Sequence, residues 1–291
     1  MTACSELART TGEPLAATAP HVRTWVVLEQ PGPWGRKALL DSHLDRALGR
    51  ALTERTAGVP VTVVLIRRPG PHPDQHERFP RQLWLAHTGP DAEPWLQHAV
   101  VDDPAGLLDL DVAALAAGQR PALGAPDPDP LLLVCTNARR DACCAVLGRP
   151  AVATLAQGRP GRVWESSHLG GHRFAPTVLS LPDGFLYGGP DAAALSLGAC
   201  RGRTALTRPA QAAELAVLSA AGAARPHALT VTGDHEQWRV HGPDGPVDVS
   251  VTPSPLAPRR ESCTGEEVGG TDYTAVLGAV SAAPGPRPRT S

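Results

Sequence analysis

Aromatic side chains are scarce: six Trp, two Tyr and three Phe in 291 residues. A core must therefore be built from Ala, Leu and Val, and the 42% hydrophobic content is enough to supply one. Lysine is rarer still, because Lys37 is the only one and every other basic side chain of that class is Arg. The net charge of −2 leaves no basic excess, which excludes a general nucleic-acid or membrane-surface binder. No apolar run reaches the roughly 18 residues a transmembrane helix needs. The opening MTACSELART has no apolar stretch of the kind a secretory signal carries. Six cysteines are too few for a secreted disulfide scaffold. These absences point to a cytoplasmic, reducing compartment, where grouped cysteines signal metal or redox chemistry rather than structural bridges.

What is present reads as two α/β units. Thr24 to Glu29 is a short β-branched and aromatic run ended by Gln30-Pro31-Gly32-Pro33, the pattern of a buried strand and a turn. Leu40, Leu44, Leu48 and Leu52 recur at helical spacing and predict one helix over 36–55. Val61 to Ile66 and Gln82 to Ala86 read as further strands. His72, His76, His87 and His98 are scattered through this half without ligand-like spacing. The segment PALGAPDPDP (121–130) reads as an unpacked linker. A second strand-first unit follows: Leu131 to Cys135, a helix through Cys144 that Gly148-Arg149-Pro150 should kink or restart, then Arg162 to Ser166, Thr177 to Leu181 and Phe185 to Tyr187. Pro182-Asp183-Gly184 closes a hairpin between the last two. Residues 191–223 read as Ala-rich helix, and short apolar runs from Leu229 onward as a small antiparallel sheet with a disordered tail after Ala283. The expected domains are 1–120, a linker at 121–130, 131–223, and a β-rich extension over 224–291.

Soft and borderline metal ligands gather in 131–189: Cys135, Cys143, Cys144, His168 and His172. Eight residues separate Cys135 from Cys144, twenty-three separate Cys144 from His168, and three separate the two histidines. Gly170 and Gly171 between the histidines would cost a helix about 2 kcal/mol, so a tight loop is expected, with bare amides able to donate to an acceptor. Two thiolates and two imidazoles suit zinc or a [2Fe–2S] cluster. The gaps fit a zinc finger poorly, and spacing alone leaves a metal centre and a chance grouping equally open.

The strings CTNARRDACCAVLGRP (135–150), VWESSHLGGHRF (163–174) and LPDGFLYG (181–188), with CSELARTTGEPLAATAPHVRTWVVLEQPGPWG (4–35), resemble the sucrase/ferredoxin-like family. Ala138 stands where similar sequences often carry Gly. The resemblance implies that the second unit is a thioredoxin-like ferredoxin binding [2Fe–2S] through Cys135, Cys144, His168 and His172, and that the first is a thioredoxin-like unit without a metal set. It implies an electron carrier, rather than an enzyme with its own substrate, that meets a redox partner protein or a small-molecule reductant. Nothing in the chain suggests sugar chemistry, since Glu165 and Asp183 do not make a glycosidase pair.

With two neutral imidazoles replacing two thiolates, the centre carries about two fewer negative charges. That raises the expected potential, to roughly −150 to +300 mV where both histidines bind one iron, from about −400 mV for all-Cys plant types. A second ring nitrogen on each imidazole predicts a potential that falls as pH rises. Around the ligands, Cys143 is expected as a packed or neighbouring thiol. Arg139, Arg140 and Arg173 are expected to donate to sulfur, to attract an acidic partner or to stay solvated. Ser166, Ser167, Gly170 and Gly171 are candidate hydrogen-bond donors, and Trp164 and Phe174 are expected to pack. Cys4 is expected as an apolar filler, while Cys200 and Cys263 have no assigned role. Two other readings compete: a thiol redox enzyme using Cys143 or Cys144 at a helix N-terminus, without a C-x-x-C motif to support it, and a zinc-stabilised interaction module.

Overall fold

The computed structural model describes residues 3–71, 79–90, 92–242 and 245–280. His72, His76 and the tail after Ala283 lie outside them. Helix α1 (Cys4–Thr10) leads into a first unit of β1 (Thr24–Glu29), α2 (Ala38–Asp41), α3 (Arg46–Arg55), β2 (Val61–Arg67), β3 (Arg81–His87), β4 (Trp95–Val101), α4 (Val112–Ala116) and β5 (Ala125–Pro126). The second unit holds β6 (Leu131–Cys135), α5 (Ala142–Ala156), β7 (Val163–Ser166), β8 (Val178–Leu181), β9 (Phe185–Tyr187), β10 (Cys200–Arg203) and α6 (Arg208–Ala220). Strands β11 (Thr230–Asp234), β12 (Gln237–Gly242), β13 (Gly245–Arg260) and β14 (Glu267–Val280) complete the chain as a separate antiparallel sheet. The protein is therefore α/β. Among the described residues no helix is long and apolar enough to cross a membrane.

The two units repeat one topology. β1 runs parallel to β2 and antiparallel to β3, which pairs antiparallel with β4. β6 likewise runs parallel to β7 and antiparallel to β8, which pairs antiparallel with β9. The units join edge to edge where β2 meets β7, with Ile66 opposite Ser166 and Arg67 opposite Glu165. The result is one sheet of ten strands, β10-β9-β8-β6-β7-β2-β1-β3-β4-β5. A single buried cluster runs across the join, drawing Trp25, Val64, Ile66 and Trp84 from the first unit and Leu131, Leu133, Trp164 and Leu179 from the second. Cys135 and Cys144 belong to this cluster.

Four local expectations are corrected. The helix over 36–55 is two helices, because Asp45 caps a fresh start by accepting from the Leu48 amide at 2.8 Å. Gly49 of the second helix backs onto the Leu39 carbonyl of the first with no room for a Cβ. The 121–130 segment packs in part: β5 pairs with β4, and Asp127 accepts from Trp84 Nε1 at 2.9 Å and from Arg162 at 2.8 Å. Its polar groups are held although it has little apolar surface. α5 runs through Gly148-Arg149-Pro150 without restarting. The proline withholds a donor from the Val146 carbonyl, and Val146 is exposed. The stretch over 191–223 is two short 3₁₀ turns, β10 and α6. Gly202 takes a left-handed φ of 132° against the Gln211 side chain, and helix resumes only after Thr207. The C-terminal sheet packs its Val240, Val249 and Val251 on Ala213, Val217 and Leu218 of α6.

Candidate metal centre

The site forms at the carboxyl ends of the parallel pair β6 and β7, where open α/β sheets characteristically leave a crevice. Cys135 is the last residue of β6 and lies opposite Ser166, the last of β7. Cys144 arrives from the first turn of α5. That turn is set by Asp141, whose side chain accepts from the Cys143 amide at 2.9 Å, which satisfies a donor the helix leaves unpaired. α5 lies close against β6 because Gly148 faces the Cys135 carbonyl, with no space for a Cβ.

The histidine loop is pinned on three sides. The Ser167 amide donates to the Leu65 carbonyl at 2.8 Å, and the Leu65 amide donates back to Ser167 Oγ at 3.0 Å. The first unit thus holds the loop of the second. Leu169 is buried in the shared core. Gly170 and Gly171 take φ of 91° and 69°, a region that side chains rarely tolerate, so the expected non-helical loop is what forms. Arg201 props it from beneath, donating to the Gly170 carbonyl at 2.9 Å and to Thr18 Oγ1 and O at 3.0 and 2.7 Å.

Ligand atoms of Cys135, Cys144 and His168 all lie within 4.8 Å of one another. The His172 ring centroid is 5.0 Å from that of His168. Both cysteines are buried and both histidines half-buried. Nδ1 of His168 and both ring nitrogens of His172 are buried without a hydrogen-bond partner among the described residues, an arrangement that carries a desolvation cost unless something binds them. Burial, the neighbouring His168 and Arg140 push the His172 pKa down to about 4, against the opposing pull of Asp141. The imidazole is then neutral at pH 7, the form that ligates metal. The Cys144 and His168 contacts hold the Cys135 thiol well below its ordinary range although burial opposes this, while Cys135 and burial push Cys144 up. The donor set fits a soft-metal centre.

The other residues singled out from the sequence fall into distinct places. Cys143 turns away from Cys144 and lies 3.6 Å from Cys4 and 3.3 Å from Cys263, Sγ to Sγ. Cys4 is buried with Cys143 and Ala175 in a small apolar cluster, as expected, with the other two sulfurs beside it. Cys200 is buried apart from both groups among Val178, Phe185 and Leu215. Arg139 is exposed and Arg140 half-buried. Their amides donate to Asn137 Oδ1 in the turn before α5. The expectations for Arg173 are corrected. It is neither solvated nor aimed at sulfur, but buried in ion pairs with Glu13 at 2.7 Å and Glu261 at 3.2 Å. Ser167 is committed to Leu65, whereas Ser166 Oγ is buried with no partner among the described residues. Trp164 packs edge-on to Trp84 at 5.2 Å, and Phe174 packs beneath the guanidiniums of Arg173 and Arg201. Glu165 accepts from Thr136 at 2.7 Å and from Arg67 at 2.8 and 3.0 Å, and Asp183 accepts from the Phe185 amide in the β8–β9 turn, so both carboxylates are structural.

Sequence reasoning missed Asp141, Arg201 and the Thr136–Glu165–Arg67 link. Only the N-cap signal of an Asp before a helix could have found the first. Arg201 lies twenty-nine positions beyond His172, and its role is created by the fold alone.

Fold and site together define an α/β protein with a Cys/His centre at the mouth of a parallel strand pair. The sucrase/ferredoxin-like family model matches residues 15–204, and the chain belongs to that family. No curated protein and no solved structure matches it.

Proposed function

We propose that the protein is an electron carrier whose Cys135, Cys144, His168 and His172 hold a [2Fe–2S] cluster. The observation that carries this reading is the set of buried imidazole nitrogens without hydrogen-bond partners among the described residues, beside two buried thiols whose sulfurs lie within 4.8 Å of a His168 nitrogen. A bound cluster would supply one-electron redox chemistry. The chain's own contribution is to hold two sulfurs on rigid elements, β6 and α5, and two imidazoles on a loop staked by Arg201 and Leu65. Each imidazole keeps a second ring nitrogen that can take up or release a proton, which supports coupling of electron to proton uptake. An electron carrier of this kind meets a redox partner, either a protein or a small-molecule reductant.

Anaerobic purification tests the reading. A red-brown chain is expected, with iron and acid-labile sulfide in equal amounts and an EPR signal on reduction that changes in His168→Cys. A colourless chain loaded with zinc at Cys135 and Cys144 would overturn it. A midpoint potential that stays flat between about pH 6 and 10 would remove the proton coupling.

A further inference from the structure

A second group of ligands lies outside the Cys135–His172 site. Cys4 opens α1, Cys143 is the second residue of α5, Asp141 is the N-cap of α5, and Cys263 lies between β13 and β14. Their ligand atoms also lie within 4.8 Å of one another. The sulfur separations are 3.6 Å for Cys4–Cys143, 3.3 Å for Cys143–Cys263 and 3.5 Å for Cys4–Cys263. Asp141 Oδ1 is 3.2 Å from Cys263 Sγ and 3.8 Å from Cys4 Sγ. Around one tetrahedral zinc, thiolates stand about 3.8 Å apart and a carboxylate oxygen about 3.5 Å from each sulfur. The three sulfur edges and the two carboxylate edges to Cys4 and Cys263 are each already within about 0.5 Å of that shape.

We infer that Cys4, Cys143, Cys263 and Asp141 form a tetrahedral site for a single zinc-class ion. Polar contacts orient the ligands, as metal ligands require. The Cys143 and Cys263 amides donate to Asp141 Oδ1 and Oδ2 at 2.9 and 2.8 Å. The Cys4 amide donates to Cys263 Sγ at 3.4 Å, and Ser5 Oγ donates to Cys143 Sγ at 3.2 Å. A cavity of about 730 Å³, bordered by Ser5, Cys143 and Cys263, gives an ion a way in. A disulfide accounts for less, because it would join two sulfurs and leave the third, with its carboxylate, unexplained. With all four positions filled by protein the site is closed, hence structural rather than catalytic. Binding displaces the thiol protons.

The consequence is a clip. Cys4 and Cys263 lie outside the matched residues 15–204, so the ion fastens an N-terminal helix and a C-terminal turn to the start of α5. That helix also carries Cys144, and the clip braces it from the side away from Cys135.

Metal content of the full-length chain, measured by mass spectrometry for zinc and iron together, tests this. About one zinc per chain is expected in the wild type. Cys4→Ser and Cys263→Ser should each lower zinc about tenfold or more while iron is retained. Cys135→Ser should lose iron and keep zinc, so failure of this site and failure of the cluster are read separately. If the serine variants do not fold, the metal-stripped wild type titrated with Co²⁺ should develop thiolate-to-cobalt charge-transfer bands and intense visible bands, both abolished by zinc. The inference is overturned if zinc is absent and Co²⁺ gives no such bands. It is also overturned if iron occupies the site, or if peptide mapping of the unreduced chain finds two of the three cysteines joined.

Discussion

The α-carbon of Gly148 faces the carbonyl oxygen of Cys135 so closely that a Cβ there would overlap it. This approach sets the distance between α5 and β6, and so between the thiols of Cys144 and Cys135. Gly148→Ala must push the helix from the strand, at about 1–3 kcal/mol. The expected result is a lower unfolding midpoint and weaker retention of iron, measured by denaturant titration and metal analysis. Gly106→Ala is the control. No atom of the described residues lies within 4 Å of a Cβ at Gly106, and the variant should match the wild type in both.

Arg201 supports the histidine loop from a buried position where three oxygens take its protons. Arg201→Met keeps most of the volume but leaves the Gly170 and Thr18 carbonyls without that donor. A loss of roughly 2–3 kcal/mol is expected, the scale of hydrogen bonds to a charged group. Because Gly171 also packs against the guanidinium, the loop should loosen, broadening the EPR signal of the retained centre. A variant with wild-type stability and an unchanged signal would show that the loop holds itself.

Much of this was legible from the residues, for definite reasons. β1 was readable because Thr24-Trp25-Val26-Val27-Leu28-Glu29 is buried along its whole length and bounded by proline and glycine. The β8–β9 turn was readable because Asp183-Gly184 is a local turn signal, and Gly184 does take a φ of 75°. The doubling of the units showed in the order of apolar runs. β4, β10 and β14 were missed. β10, Cys200-Arg201-Gly202-Arg203, is charged yet buried, which no hydrophobic pattern reveals. The meeting of Cys4, Cys143 and Cys263 was likewise invisible, because the partners are 139 and 120 positions apart and only the fold brings them together.

Acid should weaken the junction between the units in two steps. Burial and Arg162 hold the His98 pKa below its ordinary value, despite Asp127. The folded state therefore prefers neutral His98, and its contribution fades as pH falls below about 6.5. Burial raises the Asp127 pKa, but hydrogen bonds from Arg162, Trp84 and the Asp129 amide outweigh it and hold the carboxyl low. Its contribution is complete above about pH 4 and is lost as pH falls through the lowered folded value. Urea midpoints followed from pH 7 to pH 3 should fall in both windows. Asp127→Asn should be less stable at pH 7, with the gap from wild type closing below about pH 4. A gap that stays constant with pH would mean that the charge on Asp127 contributes nothing.

Neighbouring cysteines on one helix must point in different directions, since each residue advances the helix by about 100°. Cys144 faces Cys135 and His168, and Cys143 faces Cys4 and Cys263. The two should therefore separate cleanly on substitution. Cys144→Ser is expected to abolish the visible absorbance of the purified chain, because the oxygen is a poor replacement at a soft-metal position. Cys143→Ser should keep that absorbance and lose zinc instead. The opposite outcome, colour lost with Cys143 and kept without Cys144, would exchange the two assignments and require the N-terminus of α5 to be rotated by one residue.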